Sequence, residues 1–130
     1  MHGSSGRGFT LVELMIVCAV VAILIAIAIP SYALFMKKSR RGDTEATLMD
    51  IAQREQQYLL DARAYTSNIA ALNVTVPADV APYYTIILNA PAGAPATFTV
   101  TATPIAGSAQ AGDYTLGIDN TGARSPASVW

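Results

Sequence analysis

The stretch Gly8-Phe9-Thr10-Leu11-Val12-Glu13 decides the reading of this chain, because it opens an apolar run in which Glu13 is the single charge. The run extends over residues 9–29. At about 1.5 Å rise per residue, a helix of that length covers roughly 30 Å, the thickness of a bilayer's hydrocarbon core. A carboxylate at the centre of such a helix costs roughly 2.5–3.5 kcal/mol, and less near the end, where Glu13 sits. Acids kept at such depth are usually paired, so Glu13 is a candidate functional residue whose partner lies elsewhere. A secretory signal offers a competing account, with Arg7 before the run and Ala26-Ile27-Ala28 as a small-x-small cleavage site. Its apolar region would normally be about 7–15 residues; this one is longer and interrupted by an acid. A plain single-span anchor explains the length and leaves Glu13 without a role.

Working outward, Pro30 follows the run at once. Proline removes a backbone donor and crowds the preceding turn, so a kink is expected near residues 29–31 rather than a domain boundary. Residues 31–60 read as a second, amphipathic half of the same helix. Leu48, Ile51, Ala52, Tyr58 and Leu59 form its apolar face, with Asp43, Glu45, Asp50, Gln53, Arg54 and Gln57 opposite. Gly42 costs about 1 kcal/mol relative to alanine in a helix interior and marks a second flexible point or a close approach of another helix. A helix over 9–60 would be roughly 78 Å long, so half of it must be covered by something outside this chain. Lys37, Lys38, Arg40 and Arg41 place four positive charges just beyond the apolar run. Their expected contacts are lipid headgroups, acidic residues of neighbouring molecules or, on the sharper reading, DNA phosphates.

Residues 61–130 read as a linker and a small antiparallel sheet. A short strand-like piece is expected over 72–76, between turn-rich stretches punctuated by Pro77 and Pro82. Strands are expected over 83–88, 97–102 and 114–118. Phe98, Val100 and Ala102 should face the helix, as should Tyr114, Leu116 and Ile118. Asp119-Asn120-Thr121-Gly122 is a turn signal. The resulting fold class is α+β: a long N-terminal helix, half membrane-spanning and half amphipathic, packed on an antiparallel sheet.

Composition sets the exclusions. Hydrophobic residues make up 52% of the 130, much of that excess lying before Pro30, which leaves room for one domain and one anchor. A net charge of −1 implies no global attraction to nucleic acid. Cys18, the single cysteine, lies inside the apolar run, so no intrachain disulfide can form. His2 is the single histidine. No paired carboxylates, glycine-rich phosphate loop or nucleophile with a nearby base is evident, so an enzyme is not expected, nor are a cofactor or a metal. Asp113, Asp119 and Asn120 are too dispersed for a calcium loop and read as turn residues.

The block around Gly8/Phe9 resembles the processing site of type IV prepilins: a polar leader ending in glycine, then phenylalanine, then glutamate four residues on. The resemblance implies a leader over 1–8, cleavage between Gly8 and Phe9 by a membrane prepilin peptidase, and N-methylation of Phe9. It assigns Glu13 to subunit assembly, neutralising a neighbour's terminal amine, and Pro30 to a bend or local melting of the helix. Residues 9–30 become the transmembrane and polymerisation helix. His2 would leave with the leader, excluding a histidine site in the mature chain. Partners implied are other pilin subunits, the peptidase/methylase, the pilus assembly platform and the inner membrane before assembly. The implied location is the inner membrane, head in the periplasm, and then the pilus at the cell surface. The positive-inside rule applied to the four cations points the other way, but it weakens before a long following segment.

The strings Tyr83-Tyr84-Thr85, Thr97 to Pro104 and Gln110-Ala111-Gly112-Asp113, with Leu116 to Gly122, look like minor pilins of the PilE and ComP type. Those relatives usually carry a cysteine after the Gly-Asp pair and another beside a tryptophan. Here Tyr114 follows Asp113 and Val129 precedes Trp130, so about 2–4 kcal/mol of typical disulfide stabilisation is forgone. Trp130 is expected to anchor the tail on the sheet. The function implied is a structural pilus subunit of the minor class. The alternatives are a ComP-like DNA-uptake receptor, with Arg63 and Arg124 the only cations after Arg54, and a pseudopilin of a type II secretion system.

Overall fold

The computed structural model describes residues 6 and 8–130; most of the expected leader, including His2, lies outside the described residues. The chain divides into two units, Met1–Met36 and Lys37–Trp130. A single helix, α1 (Leu11–Ala62), supplies the first unit's structure and begins the second. The helix continues through Pro30 and Gly42 without a break.

In the first unit the apolar side chains of α1 are exposed along its length, from Leu11 to Phe35. The helix is long and apolar enough to cross a membrane, by length and composition. Pro30 has no N–H to offer the Ala26 carbonyl. One turn's neighbour is served instead by a side chain: Ser31 Oγ donates to Ile27 O at 3.0 Å.

The second unit carries the core. After α1, the expected strand-like piece over 72–76 is replaced by a 3-10 helix, Ile69–Leu72. Asn68 caps it by accepting the Ala70 N–H at 3.0 Å, and Asn73 ends it in the left-handed region (φ 53°). Asparagine at both ends is the local reason: it bonds backbone readily and tolerates positive φ. Four strands follow, β1 (Tyr84–Asn89), β2 (Thr99–Pro104), β3 (Leu116–Asp119) and β4 (Arg124–Ser125), paired antiparallel in chain order. The register sets Leu88 opposite Val100, Val100 opposite Ile118, and Ile118 opposite Arg124.

Period-two alternation then puts Tyr84, Leu88, Val100, Ala102, Leu116 and Ile118 on one face. They bury with Leu48 and Ile51 of α1, Leu72, Val80 and Phe98 in one cluster. Phe98 is fully enclosed and meets Tyr65 edge-on, ring centroids 4.8 Å apart. Trp130 is half-buried against this cluster, and its Nε1 donates to Ser125 O at 3.2 Å. Tyr114 departs from expectation: it is about half exposed and precedes β3. Its strand starts two residues later than the pattern suggested, so the alternation does not reach it.

Candidate functional site: the helix start and the basic turn

Two places matter: the start of α1 in the first unit, and residues 37–41 in the second.

At the helix start, the first backbone N–H groups have no intrahelical acceptor. Thr10 and Glu13 answer each other across them: the Glu13 N–H donates to Thr10 Oγ1 at 3.2 Å, and the Thr10 N–H to Glu13 Oε2 at 3.5 Å. This is a capping box, and Thr10-x-x-Glu13 was its legible signal. Negative charge in a first helical turn is also favoured by the helix dipole. Glu13 therefore serves its own helix, while its carboxylate keeps acceptor capacity facing outward. Phe9 is 84% exposed. At Gly8 an added Cβ would meet nothing within 4 Å, so packing does not require a glycine there.

The basic turn is mostly committed within the head. Lys37 Nζ donates to Ala111 O at 2.9 Å. The Arg40 guanidinium lies 4.3 Å over the Tyr83 ring. Arg41 forks onto Asp113, with Nε to Oδ2 at 3.1 Å and Nη2 to Oδ1, and also covers the Tyr114 ring at 4.9 Å. Lys38 is exposed and has no hydrogen-bond or ion-pair partner among the described residues. It lines a cleft of about 460 Å³ with Gly42, Glu45, Val129 and Trp130.

Asp113 is the hub. It also accepts from Tyr84 OH at 2.8 Å and from Gln110 Nε2, and Gln110 Nε2 reaches Lys37 O at 2.9 Å. Burial alone would raise the Asp113 carboxyl, but donors from Arg41, Tyr84 and Gln110 bring it down from 3.8 to about 2. Burial and the bond to Asp113 push Tyr84 up to about 12. The segment 105–115 is thus strapped to α1 by non-covalent contacts alone.

Asp119 is engaged in its turn: Oδ1 accepts from Thr121 N at 2.8 Å, Thr121 Oγ1 at 2.6 Å and Ala123 N at 3.1 Å. Asp113 and Asp119 are not brought together. Sequence reasoning missed Gln110 and Glu55, both fully buried. The Glu55 carboxylate accepts the Thr66 N–H at 3.1 Å, and burial raises its pKa against that bond. Its position four residues beyond Ile51 and seven beyond Leu48, in one helical stripe, was the available signal.

A long helix opening on a capped glutamate, with its second part under an antiparallel meander, defines the pilin class of α+β proteins. Residues 4–29 match the prokaryotic N-terminal methylation motif, and residues 30–123 match the family described as "Type IV minor pilin ComP, DNA uptake sequence receptor". The chain belongs to that minor-pilin family. Similar curated proteins include the type IV wide pilus major component PilA4 of Thermus thermophilus, 44% identical over 70 residues covering 52% of each chain. The type IV major pilin protein PilA of Myxococcus xanthus is 37% identical over 46% of this chain and 27% of its own. A fimbrial protein of Neisseria meningitidis is 37% identical over 57% of this chain and 44% of its own. The chain spans about half or less of the length of these relatives. The motif and the apolar helix fit a membrane-anchored precursor.

Proposed function

We propose that this chain is a structural subunit of a type IV pilus, of the minor class its family carries, cut between Gly8 and Phe9 and methylated on Phe9. The observation that carries the reading is the helix start: an exposed Phe9 and a single outward-facing carboxylate at the head of an otherwise uncharged apolar helix. The fold makes no demand for glycine at position 8, which supports a requirement set by the enzyme that cuts there. After cleavage the amine of one Phe9 would meet Glu13 of another subunit. Two opposite charges out of water then offset a desolvation that each would suffer alone. Pro30 would let the helix bend or melt locally as subunits leave the inner membrane, with the head in the periplasm, for the filament. The role is assembly rather than catalysis, with other pilins, the peptidase and the assembly platform as partners.

Glu13→Ala tests it. The variant should insert and fold yet fall at least tenfold in filaments sheared from the cell surface. Normal amounts of mutant in sheared pili would sink the role of Glu13, and a mature chain not starting at methylated Phe9 would sink the processing.

A second reading, DNA uptake, is favoured by the family description. Against a phosphate-binding patch at the basic turn, Lys37, Arg40 and Arg41 already have partners within the head, leaving Lys38 and Arg124 as its exposed cations. DNA retention by the detergent-solubilised protein that falls steeply with salt would favour uptake; salt-insensitive, negligible retention would remove it.

A further inference from the structure

The two flanks of α1 within the head are unlike in charge. On one flank, Lys38, Gly42 and Glu45 border the cleft of about 460 Å³ whose other wall is the tail at Val129 and Trp130. Arg124 lies 5.2 Å over the Trp130 ring, so this wall is cationic and aromatic. On the other flank, Asp43, Ala46 and Asp50 border a groove of about 360 Å³ whose far wall is the segment with Val74, Pro77 and Asp79. At about 100° per residue the two stripes lie roughly 120° apart on the helix, with Gln53 on the ridge between them. All four acidic or basic rims, Lys38, Arg124, Asp43 and Asp79, are exposed, and Asp43 and Asp79 have no side-chain partner among the described residues.

We propose that these flanks are the two halves of one interface between copies of this chain. The 77–79 wall of one copy enters the cleft of the next, bringing Asp79 to Lys38, and the Trp130 tail enters the acidic groove, bringing Arg124 to Asp43. Each wall is a filling for the other's depression. The apolar members, Val129 and Trp130 against Val74 and Pro77, supply contact area, and the charges set orientation. The occupant is a second copy because one chain carries both complementary surfaces. A foreign partner would need only one of them. The surfaces differ, so the contact is head-to-tail and propagates instead of closing on a pair. This rests on the pilus reading and adds to it: copies should stand in contiguous runs and not as isolated subunits among other pilins.

The test keeps the residues native. Sheared filaments and the membrane fraction of cells making the full chain are treated with a zero-length carbodiimide, which joins lysine to carboxylate only in direct contact. A dimer-to-trimer ladder whose peptides join Lys38 to Asp79 is expected, because within one chain the two lie on opposite flanks. Lys38→Asp and Asp79→Lys should each cut the ladder at least fivefold, and the double exchange should restore it. If filaments contain the protein but no such link, or Lys38 couples to a different pilin, the interface is overturned and the pilus reading stands. If the protein is absent from sheared filaments, the pilus reading fails. A Lys38–Asp79 ladder in the membrane would then still support the interface, and its absence there would overturn both.

Discussion

Replacing Asp113 by asparagine should loosen the head. The carboxylate holds Arg41 by two bonds and accepts from Tyr84 and Gln110, and its side chain is only 4% exposed. The fall of its pKa from 3.8 to about 2 is worth roughly 2.5 kcal/mol, at about 1.4 kcal/mol per unit. Asparagine also leaves the Arg41 charge, 18% exposed, without its counter-ion. Breaking one side of a buried pair costs about 3–5 kcal/mol. Part of that is relieved here by the remaining solvent access and the Tyr114 ring, so a loss of about 3 kcal/mol is expected. The assay is urea unfolding of the full chain in detergent, followed by tyrosine and tryptophan signals of the head. The sign of the pH effect gives a second reading. The folded pKa lies below the unfolded one, so the stabilisation is complete above about pH 4 and fades as pH falls towards 2. Asp113→Asn should lack that acid-side loss. A cost under about 1 kcal/mol, or an acid slope unchanged in the variant, would refute the hub.

Phe98→Ala should cost about 3–5 kcal/mol in the same assay, because the ring is wholly enclosed and its contact with Tyr65 goes with it. Glu55→Gln should flatten the pH dependence on the other side. Burial raises this carboxyl above its ordinary 4.5, so the wild-type head loses stability as pH climbs through that raised value, and a neutral amide has nothing to ionise. An unchanged slope would show that Glu55 is better solvated than its position implies.

The long helix was legible because a charge-poor run and a three-to-four-residue apolar stripe are local signals, and both survive into α1. The sheet was legible where alternation was strict: Phe98, Val100 and Ala102 face the core as their pattern required. Two of the failures share a physical source, side chains whose surroundings come from distant sequence. Tyr114 belongs to Arg41 rather than to the core, an attraction set by residues far earlier in the chain. Glu55 was absent from the apolar face because acids are rarely fully buried, and only the Thr66 N–H beyond the helix end makes its burial tolerable. At two residues, β4 carries no alternation to read. At the candidate site, the four cations were visible as a cluster. Their engagement by Ala111, Tyr83 and Asp113 depends on the return of segment 105–115, which composition cannot show.

That returning segment has a mechanical consequence. It is held to the helix by Lys37, Arg41 and Gln110 through contacts that break and re-form without chemistry. A covalent clasp needs an electron acceptor to close and, once torn, needs one again. This strap closes as soon as the chain folds, whatever the redox state around it. If a pulling load opens it, the same contacts re-form when the load is released, with no co-reactant needed.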